Sequence, residues 1–403
     1  TAAILTFFLT TALIIGLRPL ARRAGLVDIP NERKVHEGEI PLVGGIAIFV
    51  AVASLHLILG LLVPGVVLAK PQLAFYVAAA LLVMVGMIDD YRELLPSTRI
   101  VVQVFVTLIM IYGGGQVVRN IGVMPISGGE LTLGWMAVPF TIVASIGVIN
   151  AVNMSDGLDG LAGSLILVSL LGFLVATLTF GNGEQIELLV LLTAAVVAFL
   201  IFNVTVPGKR RALIFLGDAG SMLLGFAVVW FAISLSQGPD RAIRPSSALW
   251  FLMVPIFDAV CMMGRRVTRR RPMFSADKEH LHHIFLLAGF TVNETVLTMV
   301  ALAAAGVLVG LAGTYYEISD WILIGAYIVC GLLYYTMIMY AWTVMRFLRR
   351  SICRRRNIGD RRSHKERRRN RYSKYSGPER RSGKDRRSSL YGRRSAEGRS
   401  RDA

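Results

Sequence analysis

The chain has 403 residues, of which 54% are hydrophobic, with a mean hydropathy of +0.59 and a formal net charge of +17. This much apolar surface excludes an ordinary soluble domain and predicts a protein that crosses a membrane several times. The charge lies in residues 346–403, which hold 23 of the 43 Lys and Arg and 6 of the 26 acidic residues. Because the rest of the chain is neutral overall, the net charge of the protein gives no indication that residues 1–345 bind nucleic acid.

The predicted elements are apolar runs long enough to span a bilayer. We predict an all-α polytopic membrane protein with about eleven transmembrane helices, at 1–17, 43–63, 72–88, 99–114, 134–149, 161–180, 186–206, 212–236, 247–264, 293–313 and 320–345. The first run lacks the charged start and the cleavage site of a signal peptide, so we interpret it as a spanning helix. The three cysteines, Cys261, Cys330 and Cys353, have no paired spacing, which disfavours a disulfide framework or a zinc site.

Lys and Arg are divided unevenly between the two sets of alternate loops. One set holds sixteen of them, and the opposite set holds only Lys70, Arg119, Arg241 and Arg244. Because basic loops stay in the cytoplasm, we expect the N-terminus outside and the C-terminus inside. This predicts a transmembrane domain over 1–345 in the inner (plasma) membrane, with its polar loops facing the cytoplasm.

Acidic side chains stand at the cytoplasmic ends of the predicted helices. Asp89 and Asp90 end the third span in GMIDDYRE. Two adjacent carboxylates beside hydrocarbon are costly unless a cation or a basic partner offsets them. A solvated helix end that pairs with Arg92 is the alternative interpretation. Asp218 lies in FLGDAGS inside an apolar stretch, where it could cap a helix, although an apolar setting favours a metal ligand. Hard oxygen ligands without a nearby Cys suit Mg²⁺ or Mn²⁺.

A second polar cluster, NAVNMSDGLDG, follows the fifth span. Asn153, Asp156 and Asp159 are spaced by three residues, so on a helical segment they would share one face. Gly157 and Gly160 would let a ligand approach closely. The alternative is a polar loop that uses Asn and Asp as turn and cap residues. We favour a functional cluster.

Two further clusters supply donors for anions. His280, His282 and His283 follow a basic loop; on a helix, the first and third would share a face while His282 points elsewhere. We expect them to donate to phosphate or sugar groups, rather than form a zinc site or a solvated loop. Lys34 and His36 follow the first span in PNERKVHEGEIPLVGG, whose two glycines open the next helix and suit an anionic ligand. The alternative for this segment is an ordinary positive-inside loop.

Together these clusters offer acids for a hard metal and cations for phosphates, without a Ser-His-Asp arrangement or a thiol nucleophile. That set is typical of metal-assisted phosphoryl transfer, where positioning and charge neutralisation do most of the catalysis. Since the clusters lie at the membrane face, we expect one substrate to be a lipid phosphate and the other a soluble cytoplasmic molecule.

Four motifs in order, GMIDDYREL, NAVNMSDGLDGLAGS, FLGDAGSMLLGF and SADKEHLHH, resemble the polyprenyl-phosphate N-acetylhexosamine-1-phosphate transferases. The resemblance covers roughly residues 18–290, and the span count extends it to about 345. The ending HLHH is similar to the branch that uses UDP-N-acetylglucosamine (UDP-GlcNAc) rather than to the phospho-MurNAc-pentapeptide translocases. The resemblance implies that UDP-GlcNAc and undecaprenyl phosphate give undecaprenyl-diphospho-GlcNAc and UMP with Mg²⁺ or Mn²⁺, the first membrane step of cell-envelope polysaccharide synthesis.

The resemblance also implies a role for each candidate residue. Asp218 would be the metal ligand. The catalytic candidates are Asp89, Asp90, Asp156, Asp159, His280, His282 and His283. The substrate-binding candidates are Lys34, Asn153, Asn203, Arg265 and Arg266.

The basic tail over 346–403 does not resemble the family pattern. Its many Arg and few apolar residues predict a disordered cytoplasmic segment. We expect it to bind anionic membrane lipids rather than nucleic acid, with a positive-inside extension of no further role as the alternative. The sequence leaves a homodimer open. The rival interpretations of the whole chain are the peptidoglycan translocase, a sibling that uses another UDP-N-acetylhexosamine, and a cation-coupled transporter.

Overall fold

The computed structural model describes residues 1–29, 38–62, 69–123, 129–181, 183, 185–205, 212–268 and 280–340. Within them the chain is almost entirely helical, because long apolar runs must satisfy their backbone groups internally. In chain order the helices are α1 (Ala2–Ala24), α2 (Gly44–Leu62), α3 (Lys70–Tyr91), α4 (Pro96–Leu108), α5 (Ala137–Ser155), α6 (Leu161–Phe180), α7 (Ile186–Asn203), α8 (Gly217–Ser236), α9 (Pro245–Phe251), α10 (Met253–Thr268), α11 (Leu281–Leu287), α12 (Val292–Tyr315) and α13 (Asp320–Met339). Lys34, His36 and the basic tail lie outside the described residues.

Ten segments of the described chain are long and apolar enough to cross a membrane, and a bent pair of helices makes an eleventh if it counts as one span. This confirms the prediction of an all-α polytopic membrane protein with about eleven spans. Two short antiparallel pairs complete the described fold: β1 (Val27–Asp28) with β2 (Ile40–Pro41), and β3 (Asn120–Val123) with β4 (Glu130–Thr132).

The bent pair is the span predicted at 247–264. It consists of α9 and α10, which meet at 80° around Leu252. Pro255 has no N–H and therefore cannot bond the carbonyl of Phe251 four residues earlier. Instead, the Oγ of Ser169 on α6 donates to that carbonyl at 2.7 Å. The break is thus satisfied by a neighbouring helix, as a low-dielectric setting requires.

Helix α8 is the centre of the bundle and is almost wholly buried. Its first turn lies against α2 and α3 at two glycines. A Cβ on Gly45 would lie 2.2 Å from Gly220, and a Cβ on Gly86 would lie 2.3 Å from the backbone of Ala219. The end of α3 and the starts of α2 and α8 therefore meet at one end of the bundle, which we call the site end; the opposite end is the far end.

The glycines that open α2 have a different role from the one expected. The N–H groups of Gly44 and Gly45 donate to the carbonyls of Phe215 and Leu216, each at 3.0 Å. Because backbone carbonyls occupy these two donors, neither is available to an anionic ligand. The basic residues of the same prediction, Lys34 and His36, lie outside the described residues. The glycines permit close packing with the segment that leads into α8.

Candidate active site at one end of the bundle

Asp90 holds the N-terminus of α8. Its Oδ1 accepts the backbone N–H of Asp218 at 2.8 Å, and its Oδ2 accepts that of Ala219 at 3.3 Å. A helix N-terminus leaves such N–H groups unsatisfied and favours a negative charge. Here the acceptor is a carboxyl at the end of another helix, so Asp90 fixes the start of α8 in place.

Its neighbour Asp89 is buried, with 5% of its surface exposed. Its Oδ1 accepts the backbone N–H of Leu94 at 2.7 Å, and its Oδ2 lies 3.1 Å from Nη1 of Arg99 without hydrogen-bond geometry. The expected alternative, a solvated helix end paired with Arg92, is therefore wrong in both respects: the carboxylate is buried and its basic partner is Arg99. The loop from α3 to α4 brings this partner back to the helix end.

Asp218 is the second residue of α8, and a side chain from α5 orients it. Nδ2 of Asn153 donates to Oδ1 of Asp218 at 2.6 Å and to Oγ of Ser221 at 2.8 Å. The carboxyls of Asp218 and Asp89 also lie close enough to interact. The structure therefore brings four of the candidate residues, from α3, α5 and α8, into one constellation.

The expectation that Asn153, Asp156 and Asp159 share one helical face is wrong. Helix α5 ends at Ser155, and Asp156 follows it with φ −82° and ψ 57°. Gly160 has φ +81°, a left-handed conformation that interrupts the helix before α6 begins. Asn153 therefore stays on the helix and faces α8, while the two aspartates belong to the following turn.

That turn is held by Asp159 and Asn203. Oδ2 of Asp159 accepts the Oγ1–H of Thr205 at 2.8 Å and the backbone N–H of Ala212 at 3.0 Å. Asn203 is buried; its Oδ1 accepts the N–H of Gly160 at 2.8 Å, and its Nδ2 donates to a backbone carbonyl. Since backbone groups occupy both ends of its amide, Asn203 orders the turn.

Asp156 is the exposed member of the constellation. The residue has an exposed surface, but many protein atoms lie around its carboxyl group and reduce its solvation. This crowding, together with the charges of Asp218, Asp90 and Asp159, raises the pKa of its carboxyl to about 7. The turn therefore presents a carboxyl that lies within a concentration of negative charge.

The constellation fits a divalent cation that is completed by its substrate. In the described part of the chain, no three His, Cys, Asp or Glu side chains form a ready-made metal cluster. Mg²⁺, however, usually takes one or two carboxylates and fills its shell with water and phosphate oxygens. Asp218, which Asn153 orients, and Asp156, which lies close enough to interact with the charge of Asp218, could supply two such carboxylates.

The histidines lie beside this acidic turn. The rings of His280 and His282 are stacked, with centroids 5.5 Å apart and an angle of 5° between their planes. The centroid of the His283 ring lies 4.3 Å from that of His282. The expected pairing of His280 with His283 is wrong, because His280 precedes α11 with ψ 155° and is not part of the helix. An extended residue followed by a helix brings the first and second histidines together instead.

His282 is packed against the turn that carries Asp156. A Cβ on Gly157 would lie 2.5 Å from Nε2 of His282, so only glycine allows this approach. His282 is 1% exposed, and its burial, together with the rings of His283 and His280, lowers its pKa to about 3. The imidazole is therefore neutral at physiological pH.

Two of the substrate-binding candidates lie on α10. Arg265 and Arg266 are buried in the last turn of this helix.

Asp258, which lies on the same helix, was not among the residues predicted from the sequence. Asp258 is 2% exposed, and its Oδ2 lies 2.8 Å from Nδ1 of His280. The signal was present in the sequence, since a single acid within an apolar run requires a partner.

The sequence of the chain is similar to a described family and to several named proteins. Residues 72–236 match the model of a family described as glycosyl transferase family 4. The chain is 33% identical over 345 residues, 85% of its length and 92% of the relative's, to the undecaprenyl-phosphate alpha-N-acetylglucosaminyl 1-phosphate transferase of Escherichia coli O157:H7. The protein of the same name from Yersinia pestis is 34% identical over 87% of this chain and 94% of its own, and that from Haemophilus influenzae is 31% identical over 86% and 95%.

Proposed function

The chain belongs to glycosyl transferase family 4, and on that premise we propose that it transfers N-acetylglucosamine 1-phosphate from UDP-GlcNAc to undecaprenyl phosphate. The products are undecaprenyl-diphospho-GlcNAc and UMP. The similarity over 85% of the chain to relatives named for this reaction is the observation that carries the proposal. The cluster of carboxylates and histidines at the site end supports it, because phosphoryl transfer needs groups that handle phosphate charge.

Asp218 and Asp156 would hold Mg²⁺ or Mn²⁺, which when bound would neutralise charge on the phosphates. Asn153 keeps the carboxylate of Asp218 in a fixed orientation, and Asp90 keeps the helix end in place. The neutral His282 would offer hydrogen bonds to the diphosphate or sugar without adding charge.

The remaining residues would bind or order the substrates. Asp89, held by Arg99, would face the lipid phosphate. Asp159 and Asn203 order the turn that would line the nucleotide site. Lys34, which precedes α2 in the sequence, would meet a phosphate. The adjacent Arg265 and Arg266 would contact the sugar.

The assay for this proposal is release of UMP from UDP-GlcNAc by purified protein, with and without undecaprenyl phosphate. We expect UMP and a lipid-linked sugar in equal amounts, dependent on the lipid, and lost in EDTA until Mg²⁺ or Mn²⁺ is restored. UDP-GalNAc and UDP-MurNAc-pentapeptide are the competing donors. Preference for either would identify a sibling enzyme, and uptake of a solute into vesicles without lipid-linked product would identify a transporter.

We also propose that the site end faces the cytoplasm in the inner membrane. The support is the uneven distribution of Lys and Arg between alternate loops. In a cysteine-free background, an impermeant thiol reagent should label Asp240→Cys at the far end in intact cells. Arg92→Cys at the site end should react only after the membrane is opened, and the reverse pattern would contradict the orientation.

A further inference from the structure

Asp258 is a buried carboxylate that three donors satisfy. Oδ2 lies 2.8 Å from Nδ1 of His280, while Oδ1 accepts the backbone N–H of Leu281 at 2.9 Å and the hydroxyl of Tyr334 at 3.1 Å. The donors come from the start of α11 and from α13. A carboxylate buried this deeply is retained only when such partners offset its desolvation.

This contact fixes which nitrogen His280 can offer to a ligand. With Nδ1 held by Asp258, only Nε2 of His280 is left to meet a substrate, and the hydrogen bond sets the plane of the ring. The ring of His282 lies parallel to it. Asp258 therefore orients the ring of His280, and that ring stacks against the ring of His282.

The second imidazole connects this pair to the acidic turn. Nε2 of His282 lies against Gly157, the residue after Asp156. The Nδ1 of His282 is buried and has no hydrogen-bond partner within the described residues. A buried polar atom needs a hydrogen-bond partner, which a substrate group or a water molecule would supply here.

We propose that Asp258 and Tyr334 are positioning residues, which act through His280 to hold the paired imidazoles of His280 and His282 against the Asp156–Gly157 turn for the sugar-nucleotide diphosphate. The inference rests on the proposed transferase function and adds α13 to the elements that build the site. Within the described residues, the hydrogen bond of the Tyr334 hydroxyl goes to Asp258, so we expect it to affect the substrate through that carboxylate and His280.

A matched pair of tyrosines on α13 tests this. Tyr334 and Tyr327 are both partly buried and both pack on Phe257, with ring centroids 5.8 Å and 4.6 Å away. The hydroxyl of Tyr327, however, has no hydrogen-bond partner in the described part of the chain. Tyr327→Phe therefore controls for loss of a buried hydroxyl on this helix.

The expected results separate positioning from packing. kcat/KM for UDP-GlcNAc should fall about 10- to 100-fold in Asp258→Asn, as for partners that fix a histidine tautomer. It should fall about threefold to tenfold in Tyr334→Phe, which removes one of the three hydrogen bonds of Asp258 and leaves the other two in place. KM for undecaprenyl phosphate should stay within about twofold, because the histidines face the nucleotide sugar; Tyr327→Phe should match wild type.

A double-mutant cycle with His280→Ala completes the test. If Asp258 and Tyr334 act through His280, adding either substitution to His280→Ala should cost nothing further. Multiplicative losses, or equal behaviour of Tyr334→Phe and Tyr327→Phe, would overturn the inference. Should Asp258→Asn fail to fold, Tyr334→Phe decides alone, since it removes a single oxygen. A wild-type protein that releases no UMP would overturn the proposed function itself, and the inference with it.

Discussion

Oδ1 of Asp90 accepts the backbone N–H of Asp218 at 2.8 Å, so one site aspartate holds the helix that carries another. Adjacent carboxylates in the sequence thereby acquire different tasks. Asp90 caps α8, while Asp89 is held by Arg99 and approaches the carboxyl of Asp218. The acidic pair therefore holds the start of α8 in place and also adds a carboxyl next to Asp218.

Asp90→Asn should lower both stability and activity. The amide oxygen can accept only one of the two N–H groups, so we expect a loss of about 1 kcal/mol of stability, as for a weakened helix cap. Thermal unfolding in detergent and the UMP assay measure the two effects. Asp240→Asn, at an exposed far-end position, is the control and should change neither. An Asp90→Asn protein as stable and as active as wild type would refute the capping role.

Asp218→Asn should insert and fold normally but lose at least about 100-fold in activity, because a metal ligand contributes several kcal/mol to the transition state. The side-chain oxygen of Asn can still accept from Asn153, which preserves the local fold. Ser221→Ala removes the other acceptor of Asn153 without changing the charge, and should cost much less. The measurement is UMP release over a range of Mg²⁺ concentrations. Near-normal turnover of Asp218→Asn at limiting Mg²⁺ would rule out the metal assignment.

Gly157→Ala should reduce activity about 10- to 100-fold, because its Cβ would displace His282, and small misplacements at an active site have effects of this size. Gly147→Ala on α5 is the matched control, since a Cβ there meets no atom within 4 Å. Steady-state kinetics of both variants decide the matter. Equal activities would show that the approach of His282 to the turn does not matter for catalysis.

Asp156 should make stability depend on pH when no metal is present. Its pKa of about 7 in the folded protein exceeds the value of about 3.9 in an unfolded chain. The folded state therefore binds the proton more tightly, and stability falls as pH rises from 4 through 7. Asp156→Asn should unfold at a higher temperature than wild type at pH 8, and the difference should shrink towards pH 4.

A divalent cation should act in the same direction as this substitution. Because it offsets the negative charge around Asp156, Mg²⁺ should raise the unfolding temperature of wild type at pH 8 more than that of Asp156→Asn. Thermal unfolding followed by intrinsic fluorescence, with EDTA and with Mg²⁺, gives both comparisons. Parallel pH profiles for the two proteins would show that this carboxyl is not perturbed.

Much of the fold could be predicted from local sequence. The apolar runs located the spans. Pro255 is present in the sequence, but the 80° break between α9 and α10 also depends on Ser169 of α6, which satisfies the carbonyl of Phe251. The motifs also placed the acidic residues at helix ends. The shared face of Asn153, Asp156 and Asp159 was wrong, because the left-handed Gly160 belongs to a turn that buried Asn203 holds from a distant helix.

The sequence alone determined that this chain is an all-α membrane protein with aspartates and histidines near its helix ends, because hydropathy and residue chemistry are local properties. Only the tertiary structure decided what each group does. Whether Asp90 caps a helix, whether Asp156 is crowded by other charges and whether Asp258 orients His280 all depend on residues far apart in the chain. Hydrogen bonds and charge interactions act over a few ångströms in space, and sequence separation does not measure that distance.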